Sequence, residues 1–290
     1  MELLTTIAAW REFAEQQRRE GHRVGLVPTM GALHDGHAEL IRRAASAGDV
    51  VIVTSFVNPL QFNSLDDLRL YPATPNADQI LTREAGAAVL VAPSVEEMWP
   101  ALGDTSPTVV HVPGLGDRLE GTDRPGHFDG MASVVSKLFA ITGPCRAYFG
   151  EKDFQQLAIV RQLVRDLGFD VTVVGVPTVR DPDGLALSSR NRRLSAEGRR
   201  RALALHQALM VAKRRAVTLV PSALRKEMYL VMQEAGVDVS YVDIVDDRTL
   251  LPVGDEVTGP ARALVAGLVD GVRLIDNEQL WLGGHDVAGH

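Results

Sequence analysis

The chain has 290 residues, of which 46% are hydrophobic and 23% charged, with a formal net charge of −7. These proportions belong to a globular protein with a sizeable core and exclude disordered, fibrous and disulfide-stapled classes. The acidic balance gives no general attraction to nucleic acid or an anionic membrane, so an anionic substrate needs a local basic pocket.

Apolar β-branched runs alternate with helical patterns along the chain. Arg23 to Val27 and Val50 to Val57 read as buried strands, with a helix from about His37 to Ala47 between them. A polar loop from Asn58 to Tyr71 follows, then a helix from Asn76 to Ala85 and a short strand from Ala88 to Ala92. Thr108 to His127 reads as a strand and a long loop, Ser133 to Ile141 as a helix and Arg146 to Phe149 as a strand. Phe154 to Leu167 is an amphipathic helix, and Val171 to Val176 closes the series as a strand. This order predicts an α/β fold: a Rossmann-like parallel sheet with right-handed crossovers and helices on both faces, over residues 1–178.

Beyond this point the pattern changes. Helices from about Ala196 to Ala216 and Ser222 to Ala235 precede strands at Val239 to Val245 and Ala263 to Val269. A smaller α+β C-terminal domain is expected over 179–290. Cys145 is the sole cysteine, which excludes an intrachain disulfide and a cysteine zinc cluster. Met1 to Glu20 scatters charges among its apolar residues and reads as no signal peptide; the longest apolar run is too short for a bilayer. The expected compartment is the cytoplasm.

Four polar clusters follow predicted strands, at Pro28 to His37, Asn58 to Phe62, Gly150 to Gln156 and Pro177 to Asn191. Ligands of parallel sheets bind beyond the carboxyl ends of the strands. In the first cluster a glycine-bearing turn leads into a helix start, whose unpaired amides suit phosphate. His34 and His37, three apart, can donate to phosphate oxygens as charge builds on them. A capping pair and a zinc site are the alternatives for these histidines, although no third close ligand is evident. Lys152, one of four lysines with Lys137, Lys213 and Lys226, can neutralise phosphate charge, or else belong to a solvated Glu-Lys-Asp run. Ser188, Ser189 and Arg190 offer hydroxyls and a planar fork in a loop that is otherwise a plain linker. Gln61 and Gln156 can grip a hydroxy acid without adding negative charge.

Pro28-Thr-Met-Gly-Ala-Leu-His-Asp-Gly-His37, Phe56-Val-Asn-Pro-Leu-Gln-Phe62, Tyr148-Phe-Gly-Glu-Lys-Asp-Phe-Gln-Gln156, Val176-Pro-Thr-Val-Arg180 and Leu187-Ser-Ser-Arg-Asn191 together resemble the pantothenate synthetase family. That family is part of the HIGH-motif nucleotidyltransferase superfamily. The resemblance implies ATP- and Mg2+-dependent condensation of pantoate with β-alanine through an adenylate, releasing AMP and pyrophosphate, usually by a homodimer. It implies an ATP site at Met30, Gly31, Ala32, Leu33, His34, Asp35, Gly36 and His37, with His37 as catalytic acid. Gly150, Glu151, Lys152, Asp153, Val179, Leu187, Ser188, Ser189 and Arg190 complete it, and His34, Lys152 and Arg190 act with His37 on the phosphates. Gln61 and Gln156 hold pantoate, Asn58 and Tyr71 shape the cavity, and Asp78 helps to place magnesium.

Leu60 and Leu187 replace methionines common in the family, Ala73 replaces an arginine, and Asp129-Gly-Met131 is slightly atypical. None of these touches the phosphate-handling residues. The rival expectations are a nucleotidyltransferase acting on a phosphorylated substrate and a non-catalytic nucleotide sensor. No G-x-G-x-x-G opens the first strand–helix unit, which argues against a dehydrogenase.

Overall fold

A computed structural model describes residues 1–63, 65–103, 105 and 107–283; residues 284–290 of the expected second domain lie outside the described residues. The chain forms two compact units, one of Met1–Glu151 with Gln155–Pro177, the other of Lys152–Phe154 with the chain from Thr178 onward.

The first unit begins with β1 (Glu2–Leu4), α1 (Ile7–Arg19), β2 (Val24–Thr29), α2 (Asp35–Ser46) and β3 (Val50–Ser55). Helices α3 (Leu65–Arg69) and α4 (Pro75–Glu84), strand β4 (Val89–Val91), and helices α5 (Val95–Met98), α6 (Glu120–Asp123) and α7 (His127–Thr142) follow. It closes with β5 (Cys145–Gly150), α8 (Phe154–Leu167) and β6 (Val171–Val176). The six strands form one parallel sheet in the order β1-β4-β3-β2-β5-β6.

Alternation along each strand decides what each face meets. Val27, Val51, Val53 and Tyr148 lie in one buried cluster with Ala38, Ile41 and Ala44 of α2. The three-residue spacing of those α2 positions puts them on a single stripe. Phe149 therefore projects to the opposite face, where its ring meets Phe139 of α7 edge-on at 6.4 Å. Each such fully buried aliphatic or aromatic side chain contributes about 1.5–3 kcal/mol. Asp49 ties β5 to the start of β3: its wholly buried carboxylate accepts from the Tyr148 hydroxyl at 2.6 Å and from Arg23 Nε. Burial, with Asp49 beside it, pushes the Tyr148 phenol up to about 12. Burial likewise pushes the Cys145 thiol up to about 12, so it stays protonated at neutral pH and is no nucleophile.

The strand expected within Thr108 to His127 does not form. Pro107 and Pro113 lack ladder donors, and the Val110 amide donates to Ser133 Oγ at 2.8 Å instead. The expected loop from Asn58 to Tyr71 contains a 3-10 turn at Pro59–Gln61 and α3.

In the second unit, α9 (Ala196–Arg215) and α10 (Pro221–Glu234) pack on an antiparallel sheet of β7 (Asp238–Val245), β8 (Gly259–Val269) and β9 (Val272–Leu282). Leu205, Leu209, Leu224, Met228, Val265 and Leu280 form the centre of this core. Asp270 and Gly271, both with positive φ, make the two-residue turn between β8 and β9. Among the described residues no helix is long and apolar enough to cross a membrane.

Candidate active site

Successive strands run from β2 through β3 to β4 on one side, and β5 and β6 add on the other side of β2. The strand order therefore reverses between β2 and β5, the position at which such sheets open a crevice at their carboxyl ends. Met30 to His37 leave β2 at that edge, and Gly150 and Glu151 leave β5 beside it. Asn58 to Phe62 follow β3, the neighbour on the far side of β2.

His34 is the N-cap of α2, and its Nδ1 accepts from the Gly36 amide at 3.1 Å. His37 Nδ1 accepts in return from the His34 amide at 3.3 Å. The rings lie 4.1 Å apart between centroids, tilted by 43°. The histidines thus do cap the helix, which was the plainer alternative for them, and the capping has a chemical consequence. With Nδ1 an acceptor on both rings, the ring proton resides on Nε2 of each, which becomes the donor end. Two N–H donors at a helix N-terminus suit an anion that gains charge during reaction.

The turn before this helix is held from α4. Gly31 and Ala32 have φ of 77° and 51°, and a Cβ on Gly31 would press to 2.9 Å from Ser55 Oγ. Asp78, 3% exposed, accepts from the amides of Ala32 at 3.0 Å and Leu33 at 2.8 Å, and from Thr74 Oγ1 at 2.9 Å. Both of its oxygens serve the turn, a different use from the magnesium ligation expected of it. Among the described residues no group of three or more His, Cys, Asp or Glu could hold a metal ion. Asp78→Asn leaves an amide facing an amide in a buried place, so a loss of about 1–3 kcal/mol is expected. A lowered melting temperature with an unchanged magnesium requirement checks this; the opposite pair of results would restore the metal role.

A second buried network surrounds Gln61, itself 6% exposed. Asn58, fully buried, donates to Gln61 Oε1 at 3.2 Å and to the Gly130 carbonyl at 3.0 Å, and accepts from Trp99 Nε1 at 3.1 Å. The Gln61 amide reaches Met30 Sδ at 3.0 Å, linking this network to the first turn. Its backbone carbonyl contacts His127 Nδ1 at 2.8 Å, and Lys137 Nζ lies 4.7 Å above the Trp99 ring. Burial lowers the Lys137 ammonium, with Arg11 adding to the effect. Tyr71 is half-buried and meets Phe62 edge-on at 5.6 Å. Gln156 is half-buried on α8, whereas its neighbour Gln155 is buried and structural, donating to the carbonyls of Leu115 at 2.8 Å and Arg118 at 2.7 Å.

Lys152 belongs to the second unit, as do Val179 and Leu187 to Arg190. The Leu187 amide donates to the Val179 carbonyl at 2.9 Å, closing the intervening turn, and Ser188 Oγ accepts from the Arg190 amide at 3.3 Å. Lys152, Ser188, Arg190, Asn191 and Arg273 line a shallow open cleft. Its one carboxylate, Asp276, is already held by Arg180 through bonds of 2.6 and 3.0 Å. Three cations against a neutralised acid make this a place for an anion. Lys152 Nζ is only 3.4 Å from Asp153 Oδ1, a weak contact.

Trp99, His127, Arg262 and Asn277 were given no role in the sequence reading because their contacts are buried and they carry no local motif, and Gly130 was noted only within the atypical Asp129-Gly-Met131.

A family model described as pantoate-beta-alanine ligase matches residues 2–279. The chain is 49% identical over 277 residues to a pantothenate synthetase of Cereibacter sphaeroides, covering 95% of this chain and 98% of that one. A pantothenate synthetase structure from Thermus thermophilus matches with a TM-score of 0.90 at 45% identity, covering 97% and 100% of the two chains. A pantoate-beta-alanine ligase of Francisella tularensis, complexed with beta-gamma ATP and beta-alanine, matches with a TM-score of 0.78 at 33% identity, covering 96% and 97%. Matched by the family model over nearly its whole length, the chain belongs to the pantoate–β-alanine ligase family and is an enzyme, a ligase.

Proposed function

We propose that this ligase condenses (R)-pantoate with β-alanine in pantothenate biosynthesis, using ATP, through a pantoyl-adenylate, and releases AMP and pyrophosphate. The observation that carries the proposal is the His34–His37 pair, whose Nε2–H ends stand at a helix N-terminus beside the sheet's switch point. The Francisella tularensis relative, complexed with beta-gamma ATP and beta-alanine, supports the same two ligands here.

In the first step a pantoate carboxylate oxygen bonds to the α-phosphorus, and the bond from that phosphorus to the bridging oxygen breaks, releasing pyrophosphate. His37, as acid, and His34 donate from Nε2 to oxygens that gain charge, while Lys152 and Arg190 neutralise the phosphates. Gln61 and Gln156 orient the hydroxy acid, with Asn58 and Tyr71 shaping its cavity. In the second step the β-alanine nitrogen bonds to the acyl carbon, the acyl–oxygen bond breaks, AMP leaves with the bonding pair, and the proton shed by the nitrogen passes to solvent water. Lys152 and Arg190 need no covalent role, and neither does Cys145. Magnesium would come bound to the triphosphate, whose oxygens are its usual ligands. The proposal includes a homodimer working in the cytoplasm.

Pyrophosphate release with ATP and a panel of short hydroxy acids, with and without β-alanine, tests it. Release with pantoate, and an amide product only when β-alanine is present, is the expected result. A stable dinucleotide product, or no pyrophosphate with any acid, overturns it.

A further inference from the structure

Strand β9 carries two adjacent buried polar residues, Asp276 and Asn277, each 4% exposed. An isolated buried amide or carboxylate is costly, so the partners of these two explain their presence. Asp276 accepts both bonds from Arg180, and Arg180 also donates to the Gly184 carbonyl at 3.2 Å, inside the turn that leads to Ser188 and Arg190. Asn277 Nδ2 donates to the backbone carbonyl of Lys152 at 2.9 Å. Its Oδ1 accepts from Arg262 Nη1 at 2.8 Å. Arg262, 6% exposed, donates from Nε to Asp247 at 3.2 Å and lays its guanidinium 3.7 Å from the centroid of the Phe154 ring. The segment Lys152–Phe154 is thus gripped at its carbonyl and at its aromatic ring, and both grips come from this sheet.

We propose that Asn277, backed by Arg262, is a positioning residue for the Lys152 ammonium. Resting on the role given above to Lys152, the inference is that consecutive residues of β9 set the two cation-bearing segments of the cleft, Asp276 for Arg190 and Asn277 for Lys152. A side chain with four methylenes needs a fixed root, because freedom at its backbone multiplies along its length. The stacked and doubly bonded Arg262 keeps the Asn277 amide oriented so that its N–H end faces the Lys152 carbonyl.

Asn277→Asp tests this without dismantling the site. The carboxylate keeps an acceptor for Arg262 but removes the donor to the Lys152 carbonyl. A fall in kcat of roughly 10²-fold is expected with KM for pantoate unchanged, while the melting temperature falls because a buried acceptor now faces the Lys152 carbonyl. In a Lys152→Ala background the same change has no further effect on kcat, because the two residues act as one. Asn277→Ser carries the same expectation without a new charge and serves if the aspartate variant does not fold. Glu278→Gln, on the same strand, keeps the full rate. Full turnover by both Asn277 variants, or losses that multiply with that of Lys152→Ala, overturns the inference alone. A Lys152→Ala enzyme at the full rate overturns the role of Lys152 itself.

Discussion

Alanine at His37 lowers kcat by about 10²–10⁴-fold, the range for loss of a positioned acid or of a donor to developing charge. Alanine at Lys152 gives a loss of similar order. The fold persists in both. At His37 the structural cost is the return bond to the His34 amide, about 1 kcal/mol for a lost cap, small against the stability of a domain. At Lys152 the side chain contributes the long contact to Asp153, which is worth little. Steady-state kinetics beside thermal denaturation separate the two effects. Unchanged turnover in both variants would refute the assignment of these residues.

Gly130→Ala has the second largest expected effect, and two opposing contributions set it. Alanine favours a helix interior by about 1 kcal/mol over glycine, so propensity alone predicts a more stable α7. A Cβ at this position, however, would overlap the Leu60 carbonyl and crowd the Gln61 amide nitrogen, both backbone atoms with nowhere to rotate. Overpacking of that kind costs about 1–3 kcal/mol, so the clash wins. The turn at Pro59–Gln61 must then move, and it carries Gln61 while Asn58 loses its register with the Gly130 carbonyl. Turnover with pantoate falls by about 10²-fold, as for a misplacement of about 1 Å. A variant that is both more stable and fully active would show that the close approach of α7 to this turn is dispensable.

The central strands were legible because β-branched runs such as Val50-Val-Ile-Val53 have one interpretation inside a βα series. Their order in the sheet was not read, because periodicity identifies a strand but not its neighbours. Strand β9 was missed for a reason tied to function. Asp276 and Glu278 interrupt the apolar alternation of Val272, Leu274, Leu280 and Leu282, and buried polar residues such as Asp276 and Asn277 look like loop residues until their partners are known. The Asp270-Gly271 pair before it was a usable hairpin signal. Strand β1, at three residues, carries too little pattern to read. In the site, local motifs exposed the groups with donors, namely His34, His37, Lys152 and Arg190. They could not expose what orients them, because Asp78 lies 45 residues from Leu33 and Asn277 lies 125 from Lys152. Such pairings depend on tertiary packing, and periodicity has no information about it.

Lys152–Phe154 belongs with the second unit, although the residues that follow it, Gln155–Pro177, belong to the first. A gene truncated after Pro177 would still encode this tripeptide yet discard Arg262 and Asn277, stripping the Phe154 ring of its cationic cover. A C-terminal half taken from another sequence would therefore have to offer this tripeptide both a cation for its ring and an amide donor for its carbonyl.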